Sequence, residues 1–204
     1  MSVEVENYRL ELLKNLEKNP EDINALISLG ILEFEYFHEP ERARILLEKA
    51  TAVDPLNVNA KFWLAQCLFN DFFEYEKAKK MLQEALELDP NNPKCLSLMA
   101  WIMRENNGPL KEAIEYVQKA LAYAPDWPLL RYQLAGLFLD AGEPDAAAQE
   151  VKKAFQIYPL DPKKVTNEIE RYYENVITGR IWKDMNKEFY YIIQRIQKAK
   201  KTEN

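Results

Sequence analysis

At 204 residues and 48% hydrophobic composition the chain can bury one or two cores, yet no apolar run approaches the ~18 residues of a membrane span. Five glycines are too few for phosphate-cradling loops. The net charge of −6 is unevenly placed: residues 1–159 carry 17 basic and 26 acidic side chains, which argues against nucleic acid, whose phosphates call for Lys and Arg.

Residues 1–19 predict a lone helix with Tyr8, Leu12, Leu13 and Leu16 as its apolar side. Ending at Pro20, it sits where the second helix of a preceding unit would end, so residues 1–20 read as a cap on the first full helix pair. Its acidic start, MSVEVENYRL, has no signal-peptide character, and the chain is expected in the cytoplasm. Residues 21–55 predict a first helix from about Asp22 to Tyr36 and a second from about Glu39, with Pro40 in its first turn, where a missing donor does no harm. Glu33 stands where the later units place Leu68, Met103 and Phe138, which makes this first helix the least well specified.

Residues 56–90 give the clearest pair. Leu64, Ala65 and Leu68 share one helical face, and Ala78, Leu82 and Ala85 share another. Residues 91–125 repeat the design, with the turn Asn106-Asn107-Gly108 and Pro109 opening the second helix. In residues 126–159 Gly142 supplies the turn and Pro144 opens the last helix. After Pro159 the period fails. Asp161 and Pro162 cap a helix to about Val176, bearing Val165, Ile169, Tyr172 and Tyr173. Thr178-Gly179 breaks it, and a final helix from Ile181 to about Lys200 shows Trp182, Met185, Phe189, Ile192, Ile193 and Ile196. Residues 160–204 read as a cap on the open end. The alternatives are a helix folded back onto the binding face, or a homodimer formed through it.

The pairs are in register. Pro20, Pro55, Pro90, Pro125 and Pro159 stand 35, 35, 35 and 34 residues apart. Small residues recur in step as Gly30, Ala65, Ala100 and Ala135, as Ala43, Ala78, Ala113 and Ala147, and as Ala50, Ala85, Ala120 and Ala154. Large ones do so as Leu29, Leu64, Met99 and Leu134, and as Leu47, Leu82, Val117 and Val151. A unit of about 34 residues cannot bury its apolar side alone and needs a stacked neighbour. This pattern resembles the tetratricopeptide repeat over residues 21–159, as four units (21–55, 56–90, 91–125 and 126–159). The resemblance implies an all-α fold, an α-solenoid wound as a right-handed superhelix, with protein binding as its generic activity. Between the small residue of the first helix and the first Ala of the second, the first three units are one residue longer than the fourth, so their inner turns should be longer.

In such a stack the first helices line the concave surface. Helical spacing puts Asn24, Ile27, Ile31 and Phe34 on one inward face, followed by Asn59, Phe62, Gln66 and Phe69, by Lys94, Ser97, Trp101 and Arg104, and by Leu129, Tyr132, Gly136 and Leu139. Trp63 borders the same strip. The expected partner-binding residues are therefore Ile27, Ile31, Phe34, Phe62, Trp63, Phe69, Trp101 and Tyr132, with Lys94 and Arg104 meeting an acidic group. Trp101 and Tyr132 are expected at the surface, while Phe34 and Phe69 are divided between the groove and packing between helices. The family's co-chaperones grip a terminal carboxylate with Lys, Asn, Asn, Lys and Arg. Those places hold Ile27, Ile31, Trp63, Lys94 and Leu98 here, or Phe62, Gln66, Leu98, Leu129 and Gln133 one unit on, so that ligand is rejected.

The reading is a scaffold or adaptor for a partner protein segment. A dedicated chaperone or neutralising protein for one client is the alternative. Cys67, Cys95 and His38 form no ligand set, so no metal and no cofactor are expected. With no nucleophile–base motif in the chain, neither is catalysis.

Overall fold

The structure is a computed structural model and describes residues 3–157 together with Arg195. The described residues form α1 (Val3–Lys18), α2 (Ile23–Glu35), α3 (Pro40–Val53), α4 (Val58–Asn70), α5 (Tyr75–Leu88), α6 (Pro93–Glu105), α7 (Leu110–Tyr123), α8 (Pro128–Asp140) and α9 (Pro144–Ile157), with no strand among them. None of these helices is long and apolar enough to cross a membrane. The two helices expected after Pro159 lie outside the described residues. The chain divides into two compact units, Met1–Pro90 and Asn91–Asn204.

In the first unit α2 pairs with α3 and α4 with α5, while α4 also packs against α3 and α2. The small residues expected at the helix contacts lie there: Ala43, Leu47 and Ala50 on α3 and Ala78, Leu82 and Ala85 on α5 are fully buried. Each buried leucine contributes about 1.5–3 kcal/mol. Gly30 has a local reason to differ from the alanines of its row, since a Cβ there would stand 2.8 Å from Leu47 Cγ.

Helix α1 packs on α2 through a face that differs from the expected one. Leu12 joins Ala25, Leu29 and Leu32 in a core cluster, with Val5, Leu16, Tyr36 and Phe37 around it. Tyr8 and Leu13, expected inside, are exposed. The cause is Arg9, which lies between Val5 and Leu12 on the inner face. Its Nε and Nη2 donate to the Glu33 carboxylate at 2.9 and 3.1 Å, and its guanidinium sits 4.1 Å from the centre of the Phe37 ring. Glu33, the residue that disturbs the row of bulky side chains, is thus the buried partner of Arg9 on α1, and α2 runs through it unbroken.

The ends of the helices follow from short polar signals. Asp22, Asn57 and Asn92 are N-caps whose side chains accept from the backbone N–H of Ala25, Ala60 and Cys95 at 3.0, 3.0 and 3.2 Å. In the fourth pair Trp127 holds this place without a side-chain cap and packs on the core instead. Replacing Asn57 with Ala should lower stability by about 1 kcal/mol in urea unfolding, with most of it restored by Asp. The inner turns span four residues in the first three pairs (Tyr36–Glu39, Asp71–Glu74, Asn106–Pro109) and three in the fourth (Ala141–Glu143). Each contains one left-handed residue: His38, Phe73, Asn107 or Gly142.

In the second unit α6 pairs with α7 and α8 with α9, and α7 packs on α8. Leu129, Tyr132, Ala135, Leu139, Ala147, Val151 and Ala154 form its core cluster. A buried hydrogen-bonded pair ties α6 to α8: Ser97 Oγ donates to Gln133 Oε1 at 2.7 Å, and Gln133 Nε2 donates to the Ser97 carbonyl at 2.8 Å. Such a pair satisfies both polar groups where water cannot reach them.

Candidate functional site

The first helix of each pair is enclosed more deeply than a one-sided amphipathic reading implies. In the first unit α4 has α5, α3 and α2 as neighbours, and rings expected on an open face pack between helices instead. Ile27, Phe34, Phe62 and Trp63 are buried, and Phe62 meets Trp63 edge-on at 5.3 Å. Ile31 and Phe69 remain partly open. Phe69 does not stand alone: its ring lies 5.9 Å from Tyr75, which in turn lies 6.5 Å from Phe73. Phe73 is 67% exposed in the left-handed turn between α4 and α5. Residue spacing along the first helices could not find Tyr75 and Phe73, because they belong to the turn and to the second helix. The available signal was the Phe72-Phe73 doublet inside an acidic turn. Phe72 itself lies under Arg44, whose guanidinium is 4.9 Å from the ring and bonds Glu48 and Glu74.

Two expectations are corrected in the second unit. Tyr132, expected at the surface, is buried in the α8–α9 core, and that burial pushes its hydroxyl pKa up to about 12. Arg104, expected to meet an acidic group of the partner, already holds one of this chain: its Nε donates to Asp140 Oδ2 at 2.6 Å. The same guanidinium lies 5.4 Å from the centre of the Trp101 ring. The other oxygen, Asp140 Oδ1, accepts from Arg195 Nη1 at 2.7 Å. Trp101 is half-buried and Lys94, in the first turn of α6, is exposed.

On α2 the expected face holds the partly exposed Ile31 but also the buried Phe34, and on α8 the partly exposed positions include Arg131 and Phe138, which lie off that face. On α8, Leu129, Tyr132 and Leu139 each keep 6–8% exposure, while Leu130 and Leu137 keep none. Helical spacing says which side chains share a face and misjudges their depth, because neighbouring helices cover most of that face. Burial raises the Cys67 thiol pKa to about 12, which disfavours the reactive thiolate, and its Sγ donates to the Pro40 carbonyl at 3.7 Å. Among the described residues no three His, Cys, Asp or Glu side chains gather as a metal site would require.

A protein-family model described as tetratricopeptide repeat matches residues 37–102 and 106–163. Solved structures are similar in fold. That of pilF from Pseudomonas aeruginosa superposes with a TM-score of 0.69 at 21% identity, covering 98% of this chain and 90% of that one. The thermophilic protein TTC0263 from Thermus thermophilus gives 0.67 at 21% identity, over 77% and 84%. YrrB, described as a tetratricopeptide-repeat protein with an unusual peptide-binding site, gives 0.60 at 19% identity, over 92% and 91%. No curated protein matches the sequence significantly.

Proposed function

Because the chain belongs to the tetratricopeptide repeat family, whose folds serve as protein-interaction scaffolds, we propose that it binds a segment of a partner protein through partly exposed residues of its first helices, centred on Trp101. The observation that carries this is a half-buried indole midway along α6, next to buried Ala100 and Ile102, with a guanidinium fixed over its ring. A ring already held in place loses little conformational freedom on binding, and Trp is among the residues that most often dominate an interface. Lys94 extends the same surface toward the start of α6.

In the first unit the corresponding anchors are Ile31 and Phe69, the latter continued by Tyr75 and Phe73. Ile27, Phe34, Phe62, Trp63 and Tyr132 support these surfaces from beneath. Arg104 positions Trp101. On this reading the chain works in the cytoplasm by binding alone, without catalysis, nucleic acid, membrane or cofactor. The excess of acidic side chains over residues 1–159 favours a partner whose contacting segment is basic.

The test is calorimetry with a stoichiometric partner isolated from the native cells. Trp101→Ala should weaken binding by roughly tenfold or more while the melting midpoint stays close to that of the parent chain. Ile45→Ala, at an exposed position on α3, should change neither. Unchanged affinity in Trp101→Ala rejects the proposal.

A further inference from the structure

Asp140 is the last residue of α8, and each of its carboxylate oxygens is held by a different arginine. The two arginines are not equivalent. Arg104 is part of the wall: on α6 of the same unit, only 13% exposed at its side chain, and laid over Trp101. Arg195 comes from 55 residues further along the chain, and its side chain is 30% exposed. An ion pair this open to water is worth little and exchanges readily for an equivalent one. A cation from the far end of the chain therefore sits at the edge of the surface assigned to the partner.

We propose that Asp140 Oδ1 is the acceptor for an arginine or lysine of the partner segment, and that Arg195 occupies it in the unbound chain as an internal stand-in. This rests on the docking reading centred on Trp101 and deepens it by naming the partner's chemistry. The sign of the charges supports it. With Arg104 already bonded to Asp140, an incoming acidic group would have to separate that pair, whereas an incoming cation takes the place of Arg195 on Oδ1. Asp140 Oδ1 accepts an N–H donor in the chain's own structure, so guanidinium and ammonium groups fit the position and a carboxylate does not. The surrounding excess of acidic side chains also draws a basic segment toward the surface before contact. The partner is therefore a segment that places an apolar side chain on Trp101 and a basic one on Asp140.

Two measurements on the full chain test this. In the Arg195→Lys variant, a water-soluble carbodiimide should join the introduced amine to the Asp140 carboxylate within one chain, since it couples only an amine and a carboxylate in contact. The absence of that link, or its presence only in dimers, overturns the proposal. The second probe is a fluorescein-labelled synthetic peptide of residues 188–204, followed by anisotropy. It should bind Arg195→Glu about fivefold or more tighter than the parent chain. That gain should vanish when Asp140→Asn is added or when the peptide carries Ala at position 195. Equal affinity for the parent and Arg195→Glu chains overturns the proposal. Failure of the docking reading is distinguishable: it shows as Trp101→Ala leaving the natural partner's affinity unchanged, whatever the peptide does.

Discussion

Phe34→Ala is expected to lower the unfolding free energy by about 3–5 kcal/mol, the usual cost of removing a core aromatic ring. Phe34 is only 1% exposed, although it shares a helical face with Ile31, which is partly open. The difference comes from neighbours. Near the end of α2 the ring is closed in, and the loss leaves a cavity that the surrounding helices fill only in part. Urea unfolding followed by circular dichroism gives the value. A loss below about 1 kcal/mol would mean that the ring is free to leave its place and would return Phe34 to the binding surface.

The second large effect concerns α1. Arg9→Ala should cost about 3 kcal/mol, because it leaves the Glu33 carboxylate, whose side chain is 3% exposed, without its counter-charge. The lower end of the usual range applies because Arg9 itself is 18% exposed. Replacing both residues, Arg9→Leu with Glu33→Leu, should be close to neutral or stabilising. The same place in the other units already holds Leu68, Met103 and Phe138, and an apolar pair avoids the desolvation of two charges. The ion pair therefore serves chiefly to fix which face of α1 is turned inward. A double-mutant cycle by chemical denaturation measures this. A harmless Arg9→Ala would show that Glu33 finds water and that α1 is held by Leu12 and its neighbours alone.

The helical pairs were legible because their physical causes are local and repeated. Rows such as Ala43, Ala78, Ala113 and Ala147 mark the close contacts, and prolines at a fixed spacing mark where helices cannot continue. The longer inner turns of the first three pairs followed from counting residues. The N-cap row Asp22, Asn57 and Asn92 is equally local and recurs at the same 35-residue spacing. Long-range pairings, by contrast, leave no periodic trace. Arg9 and Glu33 are 24 residues apart, and each alone looks like a charge out of place. Asp140, at a helix end, looks like an ordinary solvated residue until Arg104 and Arg195 are seen on it. Depth was the other failure. A 3.6-residue period says which side chains share a face, but not that a helix walled by three neighbours, as α4 is, has scarcely an open face to offer.

Amide hydrogen exchange of the chain, alone and saturated with its purified partner, tests the central claim most directly. Binding should slow exchange along α6 and α8, around Trp101 and Asp140, while the outer helices α3, α5 and α7 keep the rates of the free chain. Slowing confined to those outer helices, with α6 and α8 unchanged, would contradict the account.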